Sequence, residues 1–261
     1  MLKLRPKTLL KTLPEASPKT MTKGSFGPPM PRIPPHKRVY AVGDIHGHLD
    51  LLQRLQAAID EDMRTHPGAD CIEIYLGDYV DRGPQSAAVI DALIARQASH
   101  KAVCISGNHE AVMVDALVSR EAFFRWLKIG GRETVFSYVG QHRSLDEGTL
   151  WSHWRASMTP AHVGFLRGLS SYFVCGDYLF VHAGLRPGVA LEDQSREDMM
   201  WIRGEFLDCP DWLGHCVVHG HTPTKEPEVL PNRINIDTGA YASGHLTCLV
   251  LEGTDCFQIT T

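Results

Sequence analysis

Five short polar stretches interrupt the apolar runs of this chain, and each carries residues that bind cations or move protons. Asp44 and His46 lie in Gly43-Asp44-Ile45-His46-Gly47. Asp78, Asp81 and Arg82 lie in Gly77-Asp78-Tyr79-Val80-Asp81-Arg82-Gly83. Asn108 and His109 precede Glu110, His182 precedes Ala183-Gly184, and His221 sits in Gly220-His221-Thr222. Carboxylates, imidazoles and an amide oxygen, with no thiolate among them, favour Mn2+, Fe or Zn2+ in an open site over a structural zinc centre. The set is too large for one ion, and an Asp shared between two cations is the economical way to use it. Two cations ~3.5–4 Å apart lower the pKa of a water between them and clamp phosphoryl oxygens for in-line attack. Arg82 follows directly on Asp81, and its guanidinium fork suits phosphate oxygens. His109, beside Asn108, is the candidate general acid, with Asp81 orienting and charging its ring. A single Asp-x-His is no more than a polar loop as often as it is a ligand pair, so the recurrence carries the reading.

Each stretch follows an apolar run that reads as a strand. The runs at 39–42, 71–76 and 102–106 alternate with helices at 49–64, where Leu49, Leu52, Leu55, Ala58 and Ile59 recur at helical spacing, and at 85–97, with Pro84 suited to its first turn. This β-α-β-α-β order predicts parallel strands with outer helices and a site at the strands' C-terminal ends. Residues 111–170 gather Phe123, Phe124, Trp126, Trp151 and Trp154 among helical segments, with a turn at Gly130-Gly131 and a Thr159-Pro160 helix start. They read as a helical cap insertion over the site that sets substrate choice, with plain core as the equal alternative for its aromatics. Beyond 171 the period changes to strands: a hairpin about Gly176-Asp177, then runs at 216–219, 228–230, 234–237, 246–252 and 256–259.

The motifs GDIHG, GDYVDRG, GNHE, HAG and GHT, in this order across about residues 39–240, resemble the calcineurin-like metallophosphoesterases. More narrowly they resemble the phosphoprotein phosphatase family of Ser/Thr phosphatases and its bacterial and phage members. The resemblance implies an α/β fold, a four-layer α/β/β/α sandwich of two mixed sheets, with residues 37–261 as the catalytic domain. It implies two divalent metal ions, Mn2+ first, with Fe or Zn2+ as alternatives. Asp44, His46 and Asp78 would hold one, and Asp78, Asn108, His182 and His221 the other. Pro223 stands where the wider superfamily often has a further His, so water would complete the first shell. Arg203, in Trp201-Ile202-Arg203, resembles the family's second phosphate-binding Arg. His48, His219, His245 and Tyr241 read as supporting residues. The implied activity is hydrolysis of phosphoserine and phosphothreonine in proteins. The alternative is a symmetrical dinucleoside tetraphosphate hydrolase. Those relatives tend to show Ala in place of Asp81 and Asp in place of Glu110, which favours the phosphatase. A catalytically dead scaffold should have lost ligands, and none is missing.

With 261 residues and 43% hydrophobic content the chain can bury a sizeable core. Its net charge of −4 is uneven: residues 1–38 hold nine Lys and Arg against Glu15. Residues 1–36 are also rich in Pro, so they read as a flexible basic tail, a docking arm for an acidic partner. No apolar run reaches the ~18–20 residues of a membrane span. Neither a nucleic-acid nor a membrane partner is expected. Seven cysteines without a Cys-x-x-Cys pair read as reduced thiols of a cytoplasmic protein.

Overall fold

The computed structural model describes residues 8–9, 30–140 and 146–261. Two mixed sheets lie face to face. The first has the order β1 (Thr8–Leu9), β11 (Asp255–Thr260), β10 (Thr247–Glu252), β2 (Lys37–Val42), β3 (Asp70–Tyr75) and β4 (Ala102–Cys104). In it β2, β3 and β4 run parallel and the other pairings are antiparallel. The second has the order β5 (Tyr172–Cys175), β6 (Tyr178–Val181), β7 (Cys216–His219), β9 (Arg233–Asn235) and β8 (Glu228–Val229), with β6, β7 and β9 parallel.

The two-residue period of a strand assigns the layers. Val39 and Ala41 of β2 pack inward against Tyr178 and Phe180 of β6 and Val218 of β7. Tyr40 and Val42 point the other way, into α1 (Leu49–Arg64), α2 (Ser86–Ser99) and the helices that follow. Leu179, Val181 and Val217 face a thinner outer layer made by α8 (Arg196–Trp201) and α9 (Gly204–Leu207). The four-layer sandwich expected from the motifs is therefore present.

The helical segment expected over 111–170 comprises α3 (Asn108–Val118), α4 (Arg120–Trp126), α5 (Gly131–Val139), α6 (Glu147–Ser157) and α7 (Pro160–Arg167). It begins earlier than expected because Gly107 is extended and the Glu110 carboxylate accepts from the Gly107 N–H, which caps α3 inside the polar motif itself. Phe123, Trp126 and Trp154 are buried in the same cluster as α1 and α2. These aromatics are core, and the role in substrate choice expected of them finds no support in their position. Thr159 caps α7, accepting from the His162 N–H, with Pro160 in the first turn.

The tail boundary at residue 36 needs correction. Ile33 is fully buried and its N–H donates to Gly253 O at 2.8 Å. Arg32 N–H donates to Asp177 Oδ2 at 2.9 Å, and Asp177 N–H donates to Arg32 O at 3.0 Å. These bonds make the segment a strap between the β10–β11 turn and the β5–β6 turn, and a turn closed by Lys37 N–H on Pro34 O leads from it into β2. Most of the expected docking arm lies outside the described residues. All seven cysteines are free. Among the described residues no helix is long and apolar enough to cross a membrane.

Charged anchors fasten helices to the first sheet. Glu73 on β3, fully buried, accepts from Arg96 Nε on α2 at 2.9 Å, and Arg38 on β2 meets Asp62 on α1 at 2.8 Å. Removing one partner of such a pair strands a buried charge. Arg96→Met is expected to lower stability by about 3–5 kcal/mol in urea unfolding. The double variant Glu73→Gln/Arg96→Met should recover much of the loss, and a loss unchanged in the double variant would show that charge is not the cause.

Candidate metal and phosphate site

The polar motifs all stand at the C-terminal ends of parallel strands. Asp44 and His46 follow β2, Asp78 follows β3, and Asn108 and His109 follow β4. On the facing sheet, His182 follows β6 and His221 follows β7. Six non-glycine residues adopt positive φ among those described, and five belong to these loops: His46, Asp78, Asp81, Arg82 and His221. Left-handed backbone at such residues is strained and persists only where the surroundings over-determine it. Here the loops zip together: the N–H groups of Ile45 and His46 both donate to Asp78 O, and Gly47 N–H donates to Tyr79 O.

Asp78 is the centre. Its Oδ2 lies 3.5 Å from His46 Nε2, and its Oδ1 lies 3.4 Å from His182 Nε2. His46, Asp78 and His109 form one compact ligand group, and Asp78, His182 and His221 form another. The lone pairs can be assigned. His46 Nδ1 donates to Val80 O and His182 Nδ1 donates to Leu76 O, which leaves both Nε2 atoms as acceptors. Asn108 Oδ1, a further acceptor, sits 3.0 Å from His182 Nε2 and 3.0 Å from His221 Nδ1. Asp44 Oδ2 accepts from His221 N–H at 3.1 Å, while its Oδ1 is buried without a partner. A side chain at Gly220 would overlap that oxygen.

The atoms present fit a pair of divalent cations. The converging acceptors His46 Nε2, His182 Nε2, Asn108 Oδ1 and the Asp78 oxygens suit a positive charge, and so do the crowded carboxylates. Burial, with Asp237 and Asp78 nearby, pushes Asp44 far above the usual carboxylate range. Burial pushes His46 and His221 down to about 3, keeping both rings neutral and able to ligate. Asp44 stands outside both compact groups, and His109, expected as an acid, lies inside the first. The expected ligands are thus gathered in one place, although their grouping differs from that expected at these two residues.

His109 Nδ1 donates to Asp81 Oδ2 at 2.6 Å. Burial opposes a charged ring, but the carboxylates of Asp78 and Asp81 outweigh it and push His109 up to about 9. Asp81 is fully buried and also accepts from Trp126 Nε1 at 2.7 Å and Thr134 Oγ1 at 2.7 Å. Arg82 N–H donates to Gly130 O at 3.1 Å, so the Gly130-Gly131 turn seats the Arg82 backbone. The Arg82 guanidinium lies 4.2 Å from the centre of the Tyr241 ring. Arg203 reaches in from the opposite layer, its Nη1 donating to Thr222 Oγ1 at 2.9 Å beside His221.

Sequence reasoning passed over the residues that support these groups. Glu110 Oε2 accepts from the N–H groups of Gly107 at 3.0 Å and Asp78 at 2.8 Å, and Oε1 from Tyr79 at 2.8 Å and Val80 at 3.2 Å. Its place in GNHE was the only available signal. Trp126 and Thr134 gave none, because their partner Asp81 is remote in sequence. A Glu110→Gln substitution puts an NH2 against these N–H donors and unseats Asp78. Titration of the variant with Mn2+ by calorimetry is expected to show affinity reduced about 10- to 100-fold, as for other groups that orient metal ligands. Unchanged affinity would show that this clamp does not seat Asp78.

The likeness to known proteins is extensive. The family model for calcineurin-like phosphoesterases matches residues 37–248. A bis(5'-nucleosyl)-tetraphosphatase PrpE [asymmetrical] from Anoxybacillus flavithermus is 29% identical over 228 residues, covering 80% of this chain and 88% of that protein. Among solved structures, a putative diadenosine tetraphosphatase aligns with a TM-score of 0.59 and 18% identity, covering 86% of this chain and 94% of the other. A cold-active protein tyrosine phosphatase aligns with a TM-score of 0.54 and 21% identity, covering 85% and 77%. The structural likenesses speak for the fold, and the family match spans every polar motif. The chain belongs to the calcineurin-like phosphoesterase family.

Proposed function

We propose that this protein is a divalent-metal-dependent hydrolase of bis(5'-nucleosyl) tetraphosphates. Water adds at phosphorus, one phosphoanhydride P–O bond breaks, and the leaving phosphate keeps the electron pair. The reaction class rests on Asp78, whose two carboxylate oxygens face two different ligand groups. The substrate class is supported by the tetraphosphatase named above, similar over most of both chains. This reverses the order suggested by the motifs, which put protein phosphoserine and phosphothreonine first and a nucleotide second. The relative's name also specifies unequal cleavage where the motifs suggested a symmetrical split.

Asp44, His46 and Asp78 would hold one cation, and Asp78, Asn108, His182 and His221 the other. Mn2+ is the first ion to test, then Fe and Zn2+. Bound there, such ions supply Lewis acidity at the phosphoryl oxygens and an activated water. Arg82 and Arg203, entering from opposite layers, bind the non-reacting oxygens and hold the polyphosphate in line. His109 holds a proton at Nε2 for the leaving oxygen, while Asp81 keeps the ring oriented and charged. Seven free thiols suit the cytoplasm.

A second reading, phosphate removal from phosphoproteins, is favoured by the Asp81–His109 pair. A serine alkoxide is a poor leaving group and needs a delivered proton, whereas a phosphate leaves more readily without one.

Steady-state kcat/KM on diadenosine tetraphosphate, beside a phosphoserine and phosphothreonine peptide panel, separates the two. Faster tetraphosphate turnover is expected, and faster peptide turnover would overturn the assignment. Asp78→Asn should abolish turnover on every substrate, read against calorimetric loss of metal binding. His109→Asn should lower phosphoserine turnover by roughly 10²- to 10⁴-fold, and that of an aryl phosphate with a good leaving group far less. Equal losses on both would remove His109 from proton delivery.

A further inference from the structure

Two exposed aromatic residues rim the site. Trp201 ends α8 with 43% of its surface exposed, whereas Trp126 and Trp154 are fully buried. Its ring stands edge-to-face with His221, centroids 6.3 Å apart. Tyr241, 39% exposed, stands in the same relation to His46 at 5.3 Å. The two rims are not equivalent. The Arg82 guanidinium lies over the Tyr241 ring, committing that aromatic to holding a phosphate-binding group. Among the described residues no cation lies over Trp201, and His221 is its only ring neighbour. Core burial does not explain Trp201 either: Met199, Ile202 and Phe206 fill the apolar layer beneath the second sheet, while Trp201 projects from it. Arg203 is two residues away and bonded to Thr222. A part-exposed indole and the Arg203 guanidinium thus stand together beside the second ligand group.

We propose that Trp201 is the nucleobase platform of this site and a determinant of its specificity. A base stacked on the indole leads its own ribose and 5'-phosphate past Arg203 to the ligand groups. A phosphoserine or phosphothreonine side chain carries no planar group of its own to stack there. The inference rests on the nucleotide reading above.

Stacking of a base on an aromatic side chain is worth roughly 5- to 150-fold in binding. The test compares Mn2+-loaded wild type, Trp201→Ala and Trp201→Phe. It uses kcat/KM on diadenosine tetraphosphate and the inhibition constant of inorganic tripolyphosphate, which has no base, against p-nitrophenyl phosphate. Trp201→Ala is expected to lose about 10- to 100-fold in kcat/KM on the tetraphosphate, chiefly through KM. It should leave tripolyphosphate inhibition unchanged, and Trp201→Phe should recover most of the loss. An unchanged kcat/KM in Trp201→Ala overturns the platform. So does an equal weakening of tripolyphosphate, which would mark Trp201 as a structural support for the phosphate site. Failure of the wild type to cleave diadenosine tetraphosphate, alongside active peptide hydrolysis, overturns the nucleotide reading itself and this inference with it.

Discussion

Everything at the site depends on holding the Asp78 carboxylate between the neutral imidazole of His46 on one side and those of His182 and His221 on the other, on backbone that Asp78 would not adopt alone. Its φ is 50°, and left-handed backbone is unfavourable for residues with a Cβ. The buried Glu110 carboxylate stabilises it by accepting the N–H groups of Gly107, Asp78, Tyr79 and Val80. Those donors would otherwise be orphaned in a dry interior, at a cost of about 1–3 kcal/mol each. Gly107 is required for the same reason, since a Cβ there would overlap Asp78 Oδ1. One carboxylate therefore fixes the loop that aims another.

The same logic extends outward from Asp81. Trp126 and Thr134 bind its carboxylate, and Ser86 and Thr134 accept from its N–H. With four hydrogen bonds to three residues and no exposure, Asp81 has one orientation, and so does the His109 ring bonded to it. The helices α4 and α5 act as a buttress behind the Asp81–His109 pair. Trp126 supports that pair both by its hydrogen bond and by packing that makes the geometry costly to change.

The site also shows why reaction class and substrate are separate questions. Cations, guanidinium groups and a charged imidazole stabilise a transferring phosphoryl group whatever is attached to it. Asp44, Asp78, Asn108, His182 and His221 would serve an anhydride or an ester alike. Discrimination has to come from groups that meet the rest of the substrate, and on the rim Trp201 and Tyr241 stand in different local settings.

The sequence by itself determined most of the strands and the order of the polar motifs, because apolar runs bounded by turn residues mark strands. Two-residue alternation puts Val39 with Ala41 on one face and Tyr40 with Val42 on the other, but both faces are apolar, so only the structure decided which of them meets the second sheet. Motif spacing also marked the residues at the strand ends, because glycines flank each turn. Only the tertiary structure could bring Asp44 to His221, 177 residues away, or Asn108 to His221, 113 away. It alone paired Trp126 with Asp81, Tyr241 with Arg82 and Ile33 with the β10–β11 turn, since none of these contacts leaves a periodic trace. Local pattern records which face a residue presents, and the closing of two sheets on one another decides what that face meets.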